Sequence, residues 1–396
     1  MSDIDEETQR WIVEVRRDLH RHPDLTGDEG GTQEIIQGYL DELDIPHKPI
    51  ADTGVIATIE GAIPGRTIAL RADIDALRIT EVETDRNADY ISVNQGVMHA
   101  CGHDGHTAMV LGAARVLAAQ RDSLRGTVVL IFQPHEESHP GGSTTVIEEG
   151  GLEGVDAIMG FHIMGYIESG IIATKPGAFM AHLRTFEITI TGKSGHHMDP
   201  DQCIDPIVMA SRFVNTIERD VANALDPTHP FTLGFGQFLG GTQFNQTPDH
   251  VFVSGTFRTF EEEDADIMEV VLDRNLRSIV EAFTQDPEEE LPAVRLRITE
   301  GYPVLANDPD LARWAVDVLR EEQLVVDPIP RLNFGAEDFA HYCNHVPGLF
   351  MFLGTRNEAK GITAVNHSSR FDIDEDVLDL GVRAFIALVT DFLGED

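Results

Sequence analysis

Five consecutive apolar residues, Val128-Val-Leu-Ile-Phe132, constrain this chain more than any other segment. A short unbroken apolar run of this kind is the pattern of a strand buried on both faces within a parallel sheet. Its surroundings agree. Gly54–Glu60 reads as a strand opened by the turn Asp52-Thr-Gly54, and Thr67–Leu70 and Asp156–His162 read as two more. Residues 105–120 read as a helix with Asp104 as its N-cap. Strands alternating with helices point to an α/β layer with a mostly parallel sheet. The pattern changes near residue 180. Thr185-Phe-Glu-Ile-Thr-Ile-Thr191 alternates strictly, as a half-exposed antiparallel strand does. A helix at about 204–222, strands near 231–239, 250–259 and 293–299, and a helix at 262–284 complete an α+β unit of ordinary domain size. After Tyr302-Pro303 the α/β character returns, with a strand at Leu349–Leu353 and a closing helix at 374–393. The expectation is therefore an α/β catalytic domain in two parts, 1–179 and 300–396, interrupted by a smaller α+β domain at 180–299.

Charge narrows the function. The 396 residues carry 68 Asp+Glu against 29 Lys+Arg, a formal net charge of −39, and only Lys48, Lys175, Lys193 and Lys360 are lysines. A chain so acidic is a poor ligand for nucleic acid, whose phosphates need a basic surface, and for an anionic membrane. No run of about 18 apolar residues is present, so no transmembrane helix is expected. Acid spread along the whole chain suggests adaptation to high salt, where screening keeps a dense negative surface folded. The start Met1-Ser-Asp-Ile-Asp-Glu-Glu lacks a basic-then-apolar leader, and three cysteines imply no disulfide framework, so a reducing cytoplasm is expected.

The chemistry concentrates in four places. In His99-Ala-Cys-Gly-His-Asp-Gly-His106, Cys101 and His103 stand two apart before the helix, so a thiolate and an imidazole can face one point. Such groups ligate zinc-like ions, and the same residues would equally suit a buried cysteine and a helix-start histidine. Phe132-Gln-Pro-His-Glu-Glu137 puts two carboxylates just past the end of the buried strand, where open α/β sheets place ligands. Adjacent side chains diverge, so one carboxylate can hold a metal while the other faces water; the alternative is a solvated acidic turn. His162 ends an expected strand, and His367 lies in a loop before the last helix.

Together these blocks resemble the metal-dependent amidohydrolases of the M20 peptidases, in the branch of auxin-conjugate hydrolases, hippurate hydrolases and N-acyl amino acid deacylases. The resemblance spans nearly the whole chain. It rests on Arg71-Ala-Asp-Ile-Asp-Ala-Leu77, His99–His106, Phe132–Glu137, Gly192-Lys-Ser-Gly-His196, Gly240–Asn245, Gly255-Thr-Phe-Arg258, Gly335-Ala-Glu-Asp-Phe339 and His367–Asp374, in that order.

The resemblance implies two divalent ions, zinc or manganese first and cobalt or nickel as alternatives. Their ligands would be Cys101, His103, Glu137, His162 and His367, with Cys101 bridging. Glu136 falls on the general base that takes a proton from the attacking water and gives it to the leaving amine. His196, from the inserted domain, falls on a residue that reaches an active site, in relatives often the partner subunit's. Asn245 and Arg258 fall on positions linked to the substrate amide and free carboxylate, although Arg258 could instead pair with one of the chain's many acids. Asp73 looks like a group that orients a ligand histidine, and Asp75 could share that work. Asp104, His106, Glu337 and Asp338 either support the site or simply start a helix and form an acidic turn. The chain departs from the pattern at Gly165 and Ser369, where proline is usual, at His135 and at Ser194. The implied activity is cleavage of the amide of N-acyl amino acids, hippurate-like or auxin-conjugate-like, by a homodimer joined through the inserted lid domain. Alternatives are a metallo-carboxypeptidase or dipeptidase on short peptides, and a non-catalytic metal-binding protein.

Overall fold

A computed structural model describes residues 4–284, 292–327 and 332–394. The chain forms two compact units. One comprises Met1–Phe179, Leu305–Leu332 and Glu337–Asp396, and the other Met180–Val304 with Asn333–Ala336.

The first unit is built on an eight-stranded sheet. Its order is His47–Ile50, Gly54–Glu60, Arg125–Gln133, Ile63–Asp73, Ala157–Glu168, Gly348–Arg356, Ile172–Ala173 and Val326–Asp327. The four central strands, Arg125–Gln133 to Gly348–Arg356, run parallel. The apolar run 128–132 is buried, as its sequence requires, but it is parallel only to Ile63–Asp73 and lies antiparallel to Gly54–Glu60 on its other side. The chain leaves Ile63–Asp73, returns through the helix His103–Ala119, and slots the next strand between its two predecessors. That helix is buried almost all round, with the helices Glu6–Arg21 and Val377–Gly394 among its neighbours. Phe161 and Phe385 meet edge to face at 4.9 Å between centroids, one tie between sheet and closing helix. Each such buried ring stabilises the fold by about 1.5–3 kcal/mol through burial alone.

Asp104 is not the N-cap of this helix. Gly102 holds that place, and Asp104 is buried in the first turn against Arg16 (2.7 Å) and His20 (2.8 Å). A buried guanidinium and imidazole outbid a free backbone N–H for the carboxylate. Sequence periodicity assigned no element to Glu6–Arg21, Gly30–Glu42 or Pro309–Glu321. The first is an amphipathic helix capped by Asp5, whose carboxylate accepts from Thr8 N at 2.7 Å.

The second unit is a four-stranded antiparallel sheet ordered Thr232–Gly240, His250–Thr259, His182–Thr191, Ala293–Glu300. The helices Pro206–Ala222 and Glu262–Phe283 pack on one face. Alternation along His182–Thr191 explains this: Phe186, Ile188 and Ile190 are buried in that core, while Glu187 between them is exposed. A two-stranded ribbon pairs Gly195–His196 with Gln246–Thr247.

Candidate metal centre and hydrolytic site

The site of the first unit grows from the carboxyl ends of its central strands. Asp73 and Gln133 are register partners at the ends of two parallel strands. Beyond them the chain supplies Asp75 on one side and His135-Glu-Glu137 on the other. His162 does not end its strand; it lies within Ala157–Glu168, two residues beyond Gly160, the last residue paired to Ile63–Asp73. The imidazole therefore lies at the level where pairing to the neighbouring strand has ended, beside its last residue, Asp73.

Gly102 makes the Cys101–His103 pair possible. Its φ of 97° is left-handed, and a Cβ there would stand 3.2 Å from Ile163 Cβ. The turn aims both side chains at one point. Cys101 Sγ lies 3.4 Å from His162 Nε2 and 3.3 Å from His367 Nε2. His367 Nε2 is 3.3 Å, and His103 Nε2 3.8 Å, from Glu137 Oε1. Two groups of converging donor atoms thus share the thiol: Cys101, His103, His162 and Cys101, Glu137, His367. Glu136 joins His103 and Glu137 in another group, and Asp73 and Glu337 in a further one.

Hydrogen bonds leave the right atoms free. His103 Nδ1 donates to the Asp75 carbonyl (2.9 Å) and carboxylate (3.1 Å), while its buried Nε2 has no hydrogen-bond partner. His162 Nδ1 donates to Ile163 O at 2.8 Å, which turns Nε2 towards the thiol. His106 is different, because both of its nitrogens are used: Nδ1 donates to Asp73 at 2.6 Å and Nε2 accepts from Ile163 N at 2.8 Å. His106 is a structural histidine. Asp75 is thus the carboxylate that orients His103, whereas Asp73 orients His106 and faces His103 Nε2 at 3.6 Å.

The electrostatics call for cations. Burial, then the charges of Glu137, Glu136 and Asp73, push the Cys101 thiol well above its ordinary range. Burial, then Glu337, Glu137, Asp338 and Asp73, does the same to the Glu136 carboxyl. Burial would lower His103, but Asp73, Asp75 and Glu137 outweigh it and raise the imidazole to about 10. Burial drives His162 well below its usual value, leaving it neutral with a lone pair on Nε2. The carboxylates that favour a proton on His103 would equally favour a metal ion in its place. Arg71 opposes this charge from within. It is fully buried, with Asp73 at 2.8 Å, Glu337 at 3.0 Å, Asp338 at 2.8 Å and Gln133 at 2.9 Å. Burial and the neighbouring Asp73 and Asp338, against the opposing charge of Arg71, leave Glu337 raised to about 8. The donor set fits divalent ions in shape as well: a tetrahedral zinc bound by S and N would separate those atoms by about 3.6 Å, close to the 3.3 and 3.4 Å seen around Cys101.

In the second unit the ribbon brings His196 and Asn245 together, with Asn245 Nδ2 3.4 Å from His196 Nε2. His196 is exposed, and its Nδ1 accepts from Met198 N at 3.1 Å. Arg258 is half-buried on His250–Thr259 and donates to Thr256 Oγ1 at 2.9 Å. Among the described residues it has no carboxylate partner, and burial lowers its pKa.

Residues 69–391 match the model of Peptidase family M20/M25/M40. The chain belongs to this family. Thermostable carboxypeptidase 2 of Saccharolobus solfataricus is 37% identical over 98% of this chain and 96% of its own. N-acetyl-L-cysteine deacetylase of Bacillus subtilis is 38% identical over 93% and 84%. A Bacillus subtilis structure described as a dinuclear metal-binding peptidase from the M20 family superposes with a TM-score of 0.84 at 32% identity, covering 98% of this chain and 99% of that one. This M20 protein is a metal-dependent amidohydrolase, a hydrolase acting on amide bonds.

The sequence puts Asp73 first as the carboxylate behind a ligand histidine of the M20 site and lets Asp75 share that work; the structure gives His103 to Asp75 and His106 to Asp73. What sequence reasoning missed is Arg71. Arg71 sits inside an apolar strand and gives no local sign of its three carboxylate partners.

Proposed function

We propose that this chain is a two-metal amidohydrolase that cleaves N-acyl amino acids at the amide, releasing an acid and an amino acid with a free carboxylate. The observation that carries this reading is Cys101, shared by two groups of donor atoms, with Glu136 beside both. Cys101, His103, Glu137, His162 and His367 are the proposed ligands. Two divalent ions held there would acidify the attacking water and polarise the scissile carbonyl. Zinc or manganese suits this mixed set of thiolate, imidazole and carboxylate, and cobalt or nickel would serve.

Glu136 is the proposed general base: it takes a proton from the attacking water and hands it to the departing amine. Asp75 holds His103 in one tautomer, and Asp73 holds His106. His196 would donate to the oxyanion, and Asn245 beside it to the amide. Arg258, with no carboxylate partner among the described residues, would receive the substrate carboxylate through its two-pronged guanidinium.

A hydrolysis panel of N-acyl amino acids and short peptides, run in high KCl with zinc, manganese, cobalt and nickel in turn, tests the substrate. Preference for peptides would favour the second reading, a metallo-carboxypeptidase or dipeptidase, which the relationship to thermostable carboxypeptidase 2 supports. Glu136→Ala is expected to abolish turnover with both metals still bound; full activity would remove the assignment of the base. An inert wild type that holds metal would leave a non-catalytic binding protein.

The exposed edge strand Thr232–Gly240, with Phe238 and Leu239 on it and Phe244 92% exposed nearby, supports a homodimer through the second unit. Three free cysteines fit a reducing cytoplasm, and no helix among the described residues is long and apolar enough to cross a membrane. The charge of −39 with four lysines supports a high-salt environment.

A further inference from the structure

Asn366 touches none of the proposed metal-binding atoms, yet its side chain joins three of the segments that carry them. Its Nδ2 donates to Cys101 O at 3.0 Å and to Ile163 O at 2.9 Å, and its Oδ1 accepts from Gly165 N at 3.0 Å. Two carbonyl acceptors and one N–H donor fix which way the amide faces. Ile163 O is the same carbonyl that accepts from His162 Nδ1 at 2.8 Å and so sets that ring's tautomer. The Gly165 N–H is one a proline could not supply. The next residue, His367, has a left-handed φ of 67°, unfavourable for a side chain of its size, and its backbone N–H donates to Ala100 O at 2.7 Å.

We propose that Asn366 is a positioning residue that fixes Cys101, His162 and His367 relative to one another and so sets the affinity and geometry of the metal pair. The inference rests on the ligand set proposed above. Each of the three ligands comes from a different stretch of chain, and the Asn366 amide ties all three stretches together. Without the amide, the loop before His367 loses its bonds to Cys101 O, Ile163 O and Gly165 N and keeps the His367 N–H bond to Ala100 O. The strained His367 backbone is then free to relax, which moves Nε2 away from the shared thiol.

The test uses the full chain stripped of metal and titrated with Co2+, read by thiolate-to-cobalt charge-transfer absorption and by the ligand-field bands. Asn366→Ala is expected to weaken Co2+ binding by about 10- to 100-fold, the usual cost of losing a group behind a metal ligand, and to change the ligand-field intensity. Asn307→Ala is the control. Asn307 makes a similar buried bridge, bonding Thr174 Oγ1, Lys175 O and Phe350 O at 3.0–3.1 Å, but none of these carries a proposed ligand. It should lower thermal stability and leave the cobalt titration unchanged. If Asn366→Ala does not fold, Asn366→Asp decides: it keeps the acceptor for Gly165 but turns a carboxylate towards two carbonyls, and weaker binding is again expected. Wild-type affinity and spectrum in the Asn366 variants would overturn the proposal, as would an equal loss in Asn307→Ala. A wild-type protein with no cobalt–thiolate band would remove the ligand set itself, a separate and earlier failure.

Discussion

Replacing Arg71 by methionine tests whether one buried cation holds the carboxylates behind the site. The side chain is 1% exposed and bonds Asp73, Glu337, Asp338 and Gln133 between 2.8 and 3.0 Å. Methionine fills much of the volume, so packing loss is small and the charge imbalance dominates. Removing one member of a buried ionic cluster costs about 3–5 kcal/mol, because the partners stay buried without their counter-charge. Glu337 is raised to about 8 even beside Arg71, so the burden falls chiefly on Asp73 and Asp338. Burial would raise Asp73, but His103, Arg71 and His106 together hold it well below its ordinary range in the wild type. Such a depressed carboxyl stabilises the fold above its unfolded pKa, and that contribution is lost as pH falls through the folded value. In the variant Asp73 keeps His103 and His106 but loses Arg71, so its carboxyl rises. Stability then falls with increasing pH above the unfolded value, because the folded state holds the extra protons. The difference in thermal midpoint between wild type and Arg71→Met should therefore be large at pH 8 and shrink towards pH 5. Added divalent ions should narrow it too, by supplying positive charge to the same carboxylates. Scanning calorimetry with chelator and with manganese, at both pH values, reads all of this. A difference below about 1 kcal/mol at pH 8, within the range of an ordinary surface substitution, would refute the reasoning.

The other predictions concern single roles. Glu137→Ala should lower metal affinity itself, measured by metal content after dialysis, in contrast to Glu136→Ala, which keeps its metal. Arg258→Ala should reduce kcat/KM by about 10- to 150-fold for substrates with a free carboxylate, the worth of a charge-assisted pair, and leave their amidated analogues unaffected. His20 lies between Asp104 (2.8 Å) and Glu81 (3.1 Å), and although burial and Arg16 oppose it, those carboxylates raise its pKa. Its contribution to stability is full below the unfolded value of about 6.5 and is lost as pH rises through the folded value, so His20→Asn should destabilise more at pH 6 than at pH 9. Molar KCl should raise the thermal midpoint of the wild type; equal midpoints in dilute buffer would refute adaptation to salt.

The strands and helices that carry the site were legible because each has a local cause. The run 128–132 marks a buried strand wherever it lies, and Thr185–Thr191 marks an antiparallel one by alternation. Their positions differed from expectation only where a neighbour decided them. His162 continues its strand rather than ending it, because Gly348–Arg356 still pairs it on the other side through Phe352. Asp104 left its cap for Arg16 and His20, two groups 88 and 84 residues away. The ribbon that joins His196 to Asn245 also spans 49 residues that no local pattern connects.

By itself, the sequence determined the α/β class, the acidic surface and the residue types that could hold cations, since these depend on composition, periodicity and motif. Only the tertiary structure decided which nitrogen of each histidine stays free, which carboxylate stands behind it, and that Cys101 is common to two groups of donors. Those outcomes depend on hydrogen bonds and charges between distant segments, and a one-dimensional spacing carries no information about which of them meet.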